Sequence, residues 1–230
     1  MAYAIPLWTP PALPVAGSAD AFPVRRVFCV GRNYAEHQKE MGGDGREQPF
    51  FFLKSEFALV PRGGTVHYPA KTSNYHYETE LVVAIAKAGR RIDAKRAHDH
   101  VFGYAVGLDM TRRDLQQVGK DHGRPWDFGK DFDEAAPCSA LLPAAKIGHP
   151  SKGAIRLTVN GKERQRADLG DMIWSVPEQI AYLSEYYALE PGDLIYSGTP
   201  AGVGPVKPGD ELHAGIDKVG ELKVRIVAAL

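Results

Sequence analysis

The chain has 230 residues, no formal net charge, and 44% hydrophobic against 24% charged residues, a balance that suits one packed domain of moderate size and excludes a disordered chain. Neutrality, with a pI near 7, supplies no electrostatic footprint for nucleic acid, and no apolar run reaches the length needed to cross a bilayer. The proline-rich start lacks the basic opening of a signal peptide, and two isolated cysteines, Cys29 and Cys138, make neither a disulfide scaffold nor a zinc knuckle, so a cytoplasmic protein with two buried, inert thiols is expected.

Residues 1–24 read as an irregular arm crossing the surface, followed by a single domain over 25–230. VRRVFCVG, from Val24, predicts a strand. NYAEHQKEM predicts a helix with Asn33 as its N-cap, ended by the flexible GGDG at 42–45. FFFLK predicts a brief buried strand, and Tyr77 to Ala86 another. Asp93 caps a short helix in AKRAHDHV, FGYAVGLDM is a second apolar strand, and TRRDLQQVG, from Thr111, is helical in composition. In the C-terminal half, Asn-Gly in VNGK (159–162) signals a hairpin. SVPE (175–178) is a capping box with proline in the first turn, opening a helix through QIAYLSEYYAL. LEPGDLIYSGTP, KPGDEL and ELKVRIV supply the last strands. Many strands with separated helices predict an α+β fold around a β-rich core.

Glu78 and Glu80, in NYHYETELVVAI, are two residues apart on a strand and so share a face, about 6.5 Å from each other. A buried carboxylate pair is costly through repulsion and desolvation, and a hard divalent cation such as magnesium, manganese or calcium removes that cost. The pair also suits a strand end where both glutamates reach water or pair with Lys71 and nearby arginines. Asp109, closing the FGYAVGLDM strand, is either a third oxygen ligand or the N-cap of the following helix. His37 and Glu40 share a helix face, as a water-activating dyad or as a solvated ion pair. TPAGVGP lacks the following helix of a phosphate loop, GxSxG is absent, and His98 and His100 lie in a charged helix unsuited to zinc.

GRNYAEHQKEM, FLKSEFALV, NYHYETELVVAIAKAGRRI, GYAVGLDMTRRDLQ, GKDFDEAAP, VNGKERQ and PGDLIYSGTPAGVGPV occur in the order and spacing of the fumarylacetoacetate hydrolase family, over roughly residues 26 to 226. The resemblance is to its short acylpyruvase and isomerase-like branch. It implies a mixed β-sandwich or β-roll, a homodimer, and Mg2+, with Mn2+ or Ca2+ as alternatives. It implies Glu78, Glu80 and Asp109 as metal ligands and His37, Glu40 and Lys130 as catalytic groups. Lys54, Arg113, Gln116 and Thr199 are implied to bind substrate.

The resemblance further implies a small-molecule acylpyruvate substrate, fumarylpyruvate of gentisate breakdown, cleaved by water to fumarate and pyruvate. In that scheme the metal steadies the pyruvate enolate and His37, oriented by Glu40, activates the water. Decarboxylation of oxaloacetate-type acids and isomerisation of 2-hydroxymuconate-type acids stay open on the same site, as does a catalytically silent binding protein.

Overall fold

The TELVVAI run is buried along its whole length, and the topology explains it. In the computed structural model, which describes residues 3–36 and 46–230, Thr79–Ile85 lies in the middle of the largest sheet. The order there is Phe50–Lys54, Arg26–Gly31, Asp193–Tyr196, Thr79–Ile85, Val101–Leu108, Ala136–Cys138 and Leu59–Pro61. Pairing is mixed: Asp193–Tyr196 runs parallel to Arg26–Gly31 and antiparallel to Thr79–Ile85. On one face Leu81, Val83 and Ile85 pack against Ile155, Leu157, Leu212 and Val224. Those come from a second, five-stranded sheet ordered Lys162–Asp168, Ala154–Val159, Glu211–Ile216, Gly220–Val227, Gly64–His67. On the other face Val82 and Ala84 join Cys29, Cys138, Leu141 and Leu13. Alternate side chains therefore enter two different apolar layers, so the strand shows no polar face. The architecture is the expected α+β fold.

Several local expectations hold for their physical reasons. Asn160 and Gly161 take φ of 52° and 74°, the left-handed pair a two-residue hairpin needs between Ala154–Val159 and Lys162–Asp168. The Val176–Tyr186 helix opens with the Glu178 carboxylate accepting from the Ser175 N–H at 2.9 Å. Asp93 caps the 3-10 helix Ala94–His100, its side chain accepting from the Lys95 N–H. Both cysteines are buried and free. No helix among the described residues is long and apolar enough to span a membrane.

Other expectations are corrected. Residues 1–24 are not wholly irregular: Ala12–Pro14 and Ala21–Pro23 form an antiparallel hairpin in which Leu13 faces Phe22. Both side chains are buried and Phe22 packs on Phe102 at 5.1 Å between ring centroids, so each contributes about 1.5–3 kcal/mol of apolar burial. FFFLK is a strand but lies at the sheet edge, and only Lys54 in it is buried. The strand expected over Tyr77 to Ala86 is interrupted at Glu78, between Tyr75–Tyr77 and Thr79–Ile85. Thr111–Arg112 pairs with Tyr75–Tyr77 before the helix Arg113–Asp121 begins. The Asn33 side chain donates to the carbonyls of Trp174 and Ser197 and accepts from the Trp174 N–H, and most of the helix it is expected to cap lies outside the described residues. His37, Glu40 and the GGDG segment lie outside the described residues.

Candidate metal and substrate site

The break at Glu78 positions the site. The Asp109 N–H donates to the Glu78 carbonyl at 2.8 Å, which pins the start of one central strand to the end of its neighbour. One carboxylate oxygen from each of Glu78, Glu80 and Asp109 then lies within 4.8 Å of the others. All three residues are at most 5% exposed. The spacing matches two metal–oxygen bonds of about 2.0–2.6 Å for Mg2+, Mn2+ or Ca2+. Of the alternatives left open by the sequence, the glutamates do not reach bulk water and the following helix is capped at Arg112 rather than Asp109, while Glu78 does pair with a nearby arginine, Arg113.

Three cations neutralise part of this cluster. Lys130 Nζ donates to Glu78 Oε2 at 2.8 Å, Asp109 Oδ2 at 2.7 Å and Thr111 Oγ1 at 2.7 Å. Burial opposes its charge, but Asp109 and Glu78 outweigh burial and hold Lys130 above its ordinary value. Arg113 donates to Glu78 Oε1. Lys54 Nζ lies 2.8 Å from Asp109 Oδ1 at an angle outside hydrogen-bond range, and donates to the carbonyls of Met110 and Lys130. No cationic side chain among the described residues contacts Glu80. Its Oε2 accepts one hydrogen bond, from the Gly198 N–H at 2.8 Å. Burial, then the Asp109 and Glu78 carboxylates, push Glu80 far above the usual carboxylate range. A buried oxygen set with one uncompensated member fits a hard divalent cation.

Gly198 has φ of +98°, and a Cβ there would meet Asn33 Cβ at 2.5 Å, so only glycine brings that N–H to Glu80. Thr199 follows it. Its hydroxyl accepts from Gln165 Nε2 at 2.9 Å, and the same nitrogen donates to the Pro200 carbonyl at 2.8 Å. Gln165 Oε1 accepts from the Thr79 N–H at 3.0 Å. Fully buried Gln165 thus fastens the threonine loop to the strand carrying Glu80. Sequence reasoning gave it no role, because KERQRAD reads as a solvated polar strand.

Glu78, Glu80, Arg113, Gln116, Lys130 and Thr199 line one cavity of about 30 Å³. Gln116 Oε1 accepts from Arg113 Nη1 at 2.7 Å. Arginine only donates, so the amide is oriented with Nε2 free to donate. Asp109 and Lys54 are buried behind the cavity wall. Lys54, expected to touch substrate, holds Asp109 and the Lys130 backbone instead.

Comparison with known proteins agrees with this geometry. The model of the fumarylacetoacetate (FAA) hydrolase C-terminal family matches residues 26–227. A fumarylpyruvate hydrolase from a Ralstonia species is 51% identical over 180 residues, 78% of this chain and 93% of that protein. A mitochondrial oxaloacetate tautomerase from Mus musculus is 45% identical over 202 residues, 88% of this chain and 91% of its own. A crystal structure of fumarylpyruvate hydrolase from Pseudomonas aeruginosa in complex with Mn2+ and pyruvate superposes with a TM-score of 0.96 and 51% identity, covering 99% of this chain and 100% of that one. On the family match and these identities, the chain belongs to the fumarylacetoacetate hydrolase family.

Proposed function

We propose that the protein is a divalent-metal-dependent hydrolase that cleaves the C–C bond of an acylpyruvate, with fumarylpyruvate and water giving fumarate and pyruvate. The observation that carries this reading is the convergence of Glu78, Glu80 and Asp109 oxygens within 4.8 Å, on a cavity also lined by Arg113, Gln116 and Lys130. The Pseudomonas counterpart in complex with Mn2+ and pyruvate supports the same ligand class. Glu78, Glu80 and Asp109 would hold Mg2+ or Mn2+, which when bound supplies a Lewis acid for the oxygens of the keto-acid end.

The remaining work falls to side chains. Arg113 and Gln116 present N–H donors where negative charge develops on substrate oxygens. The three N–H groups of Lys130 are taken up by Glu78, Asp109 and Thr111, so Lys130 serves by holding those carboxylates in place. Thr199, held by Gln165, adds a hydroxyl to the cavity wall. In this reading the role expected from the sequence for His37, with Glu40, is to take a proton from water as the water oxygen attacks the acyl carbonyl carbon. The bond from that carbon to the pyruvate methylene breaks, its electron pair passes to the methylene carbon, and the proton returns there to give pyruvate. Homodimeric assembly belongs to the same reading.

The test is a product assay on purified protein, chelated and reloaded with Mn2+, with fumarate and pyruvate separated chromatographically. Equal amounts of both, formed faster than in enzyme-free buffer, are expected. The mouse relative at 45% identity favours a second reading, interconversion of the keto and enol forms of oxaloacetate. Enol loss from oxaloacetate with no fumarate from fumarylpyruvate would select it and remove the first.

A further inference from the structure

We infer that Lys120 and Arg32 form a subsite for a second, distal carboxylate, making the protein selective for acylpyruvates whose acyl arm ends in an acid. This deepens the function proposed above and rests on it. Both residues line the cavity that reaches Glu78 and Glu80. Unlike Arg113, Lys130 and Lys54, neither has a carboxylate partner or a side-chain hydrogen bond among the described residues. Lys120 is half-buried and its ammonium lies 5.3 Å from the centre of the Trp126 ring. Arg32 follows the Arg26–Gly31 strand with φ of 55°, a left-handed turn uncommon outside glycine.

The helix Arg113–Asp121 sets the spacing. Arg113, Gln116 and Lys120 stand at i, i+3 and i+7, which is one face. At 1.5 Å per residue, Lys120 lies about 10 Å along the axis from Arg113. Arg113 marks the carboxylate-cluster end because it binds Glu78. An extended seven-carbon diacid separates its terminal carboxylates by about 7–8 Å, and a four-carbon diacid by about half that. Only the longer acid reaches from the metal ligands to Lys120. Close approach of the helix brings Trp126 to this end: a Cβ at Gly119 would meet Trp126 Cδ1 and the Pro125 carbonyl, both at 3.1 Å. Phe50 stands edge-on to Trp126 at 5.5 Å. The planar middle of an unsaturated acyl chain fits beside these rings. Burial first, then Arg113 and Arg32, bring Lys120 down to about 8, the signature of crowded cations that an anion would relieve.

The experiment compares kcat/KM for fumarylpyruvate and for acetylpyruvate, which lacks the distal acid, in the wild type, Lys120→Met, Lys120→Arg and Arg32→Met. The ratio of fumarylpyruvate to acetylpyruvate is expected to fall about 10- to 100-fold in Lys120→Met, the loss of one charge-assisted hydrogen bond, and to recover in Lys120→Arg. Equal losses on both substrates, with the ratio unmoved, overturn the subsite and make Lys120 structural. Calorimetric binding of heptanedioate, a seven-carbon diacid, to the Mn2+-loaded proteins separates the two proposals. If no acylpyruvate is cleaved, the function falls, and a weaker heptanedioate Kd in Lys120→Met and Arg32→Met still establishes the subsite. Identical heptanedioate affinities in all four proteins overturn it.

Discussion

Lys130 Nζ and Asp109 Oδ2 meet at 2.7 Å with both side chains at most 3% exposed. The same ammonium holds Glu78, so one cation serves two buried carboxylates. Lys130→Met leaves both undercompensated. Truncating one partner of a buried ion pair costs about 3–5 kcal/mol. That loss is expected in urea unfolding with chelator present. With excess Mn2+ it shrinks, because the metal takes over the compensation. An identical deficit with and without Mn2+ would show that Lys130 does not share its carboxylates with a cation site.

Glu80 gives the converse case. It contacts no cationic side chain among the described residues and keeps one hydrogen bond, from Gly198. Glu80→Gln therefore changes the metal-free protein little but removes the charge that calls for a metal. After chelation, wild-type stability is expected to rise with added Mn2+, by about 2.7 kcal/mol at one hundred times Kd. Most of that rise disappears in Glu80→Gln. A Mn2+-dependent melting shift of equal size in both proteins would place the ion elsewhere.

Gln165 carries a prediction of another kind, since it touches no proposed reacting atom. It bonds the Thr79 N–H, the Thr199 hydroxyl and the Pro200 carbonyl while fully buried. Gln165→Leu strands a donor and an acceptor away from water, at about 1–3 kcal/mol each. Unfolding in urea should register their sum. Freed from its anchor, Thr199 no longer holds its place at the cavity wall, so KM for fumarylpyruvate rises even at temperatures where the variant stays folded. Unchanged KM in a destabilised but folded variant would confine Gln165 to structure.

These three residues show what a sequence reveals of such a site. Glu78 and Glu80 were legible because charges seldom precede a fully apolar run, and Asp109 because it ends one. Their convergence was not: it depends on Thr79–Ile85 pairing with Val101–Leu108, a non-local choice that the family resemblance supplied. Lys54 and Lys130 look like solvated lysines in isolation, and only the buried carboxylates beside them account for their burial. Gln165 lies in a strand whose neighbours Arg164 and Arg166 are exposed, so its inward turn left no trace in composition. The hairpin at Leu13 and Phe22 was hidden for a related reason: its short strands gain burial from Phe102 and Leu141, far along the chain.

The last prediction concerns pH. His98 and His149 stack with ring centroids 4.0 Å apart and planes 8° from parallel, and Tyr104 Oη lies 2.8 Å from His149 Nδ1. Burial holds both imidazoles below their ordinary range. The neighbouring His149 adds to this for His98, while Asp99 works against it. The unfolded chain, with histidine near 6.5, then binds more protons than the folded one below that value. The stability these rings contribute is thus complete above about pH 6.5 and is lost as pH falls through the window beneath it. Because both rings are largely solvated, the effect stays under about 1 kcal/mol. Urea midpoints at pH 7.5 and 5.5 measure it: the drop on acidification is expected to be smaller in His98→Gln/His149→Gln than in the wild type. A double variant that loses as much stability as the wild type over that interval would show that the stacked pair tolerates protonation without cost.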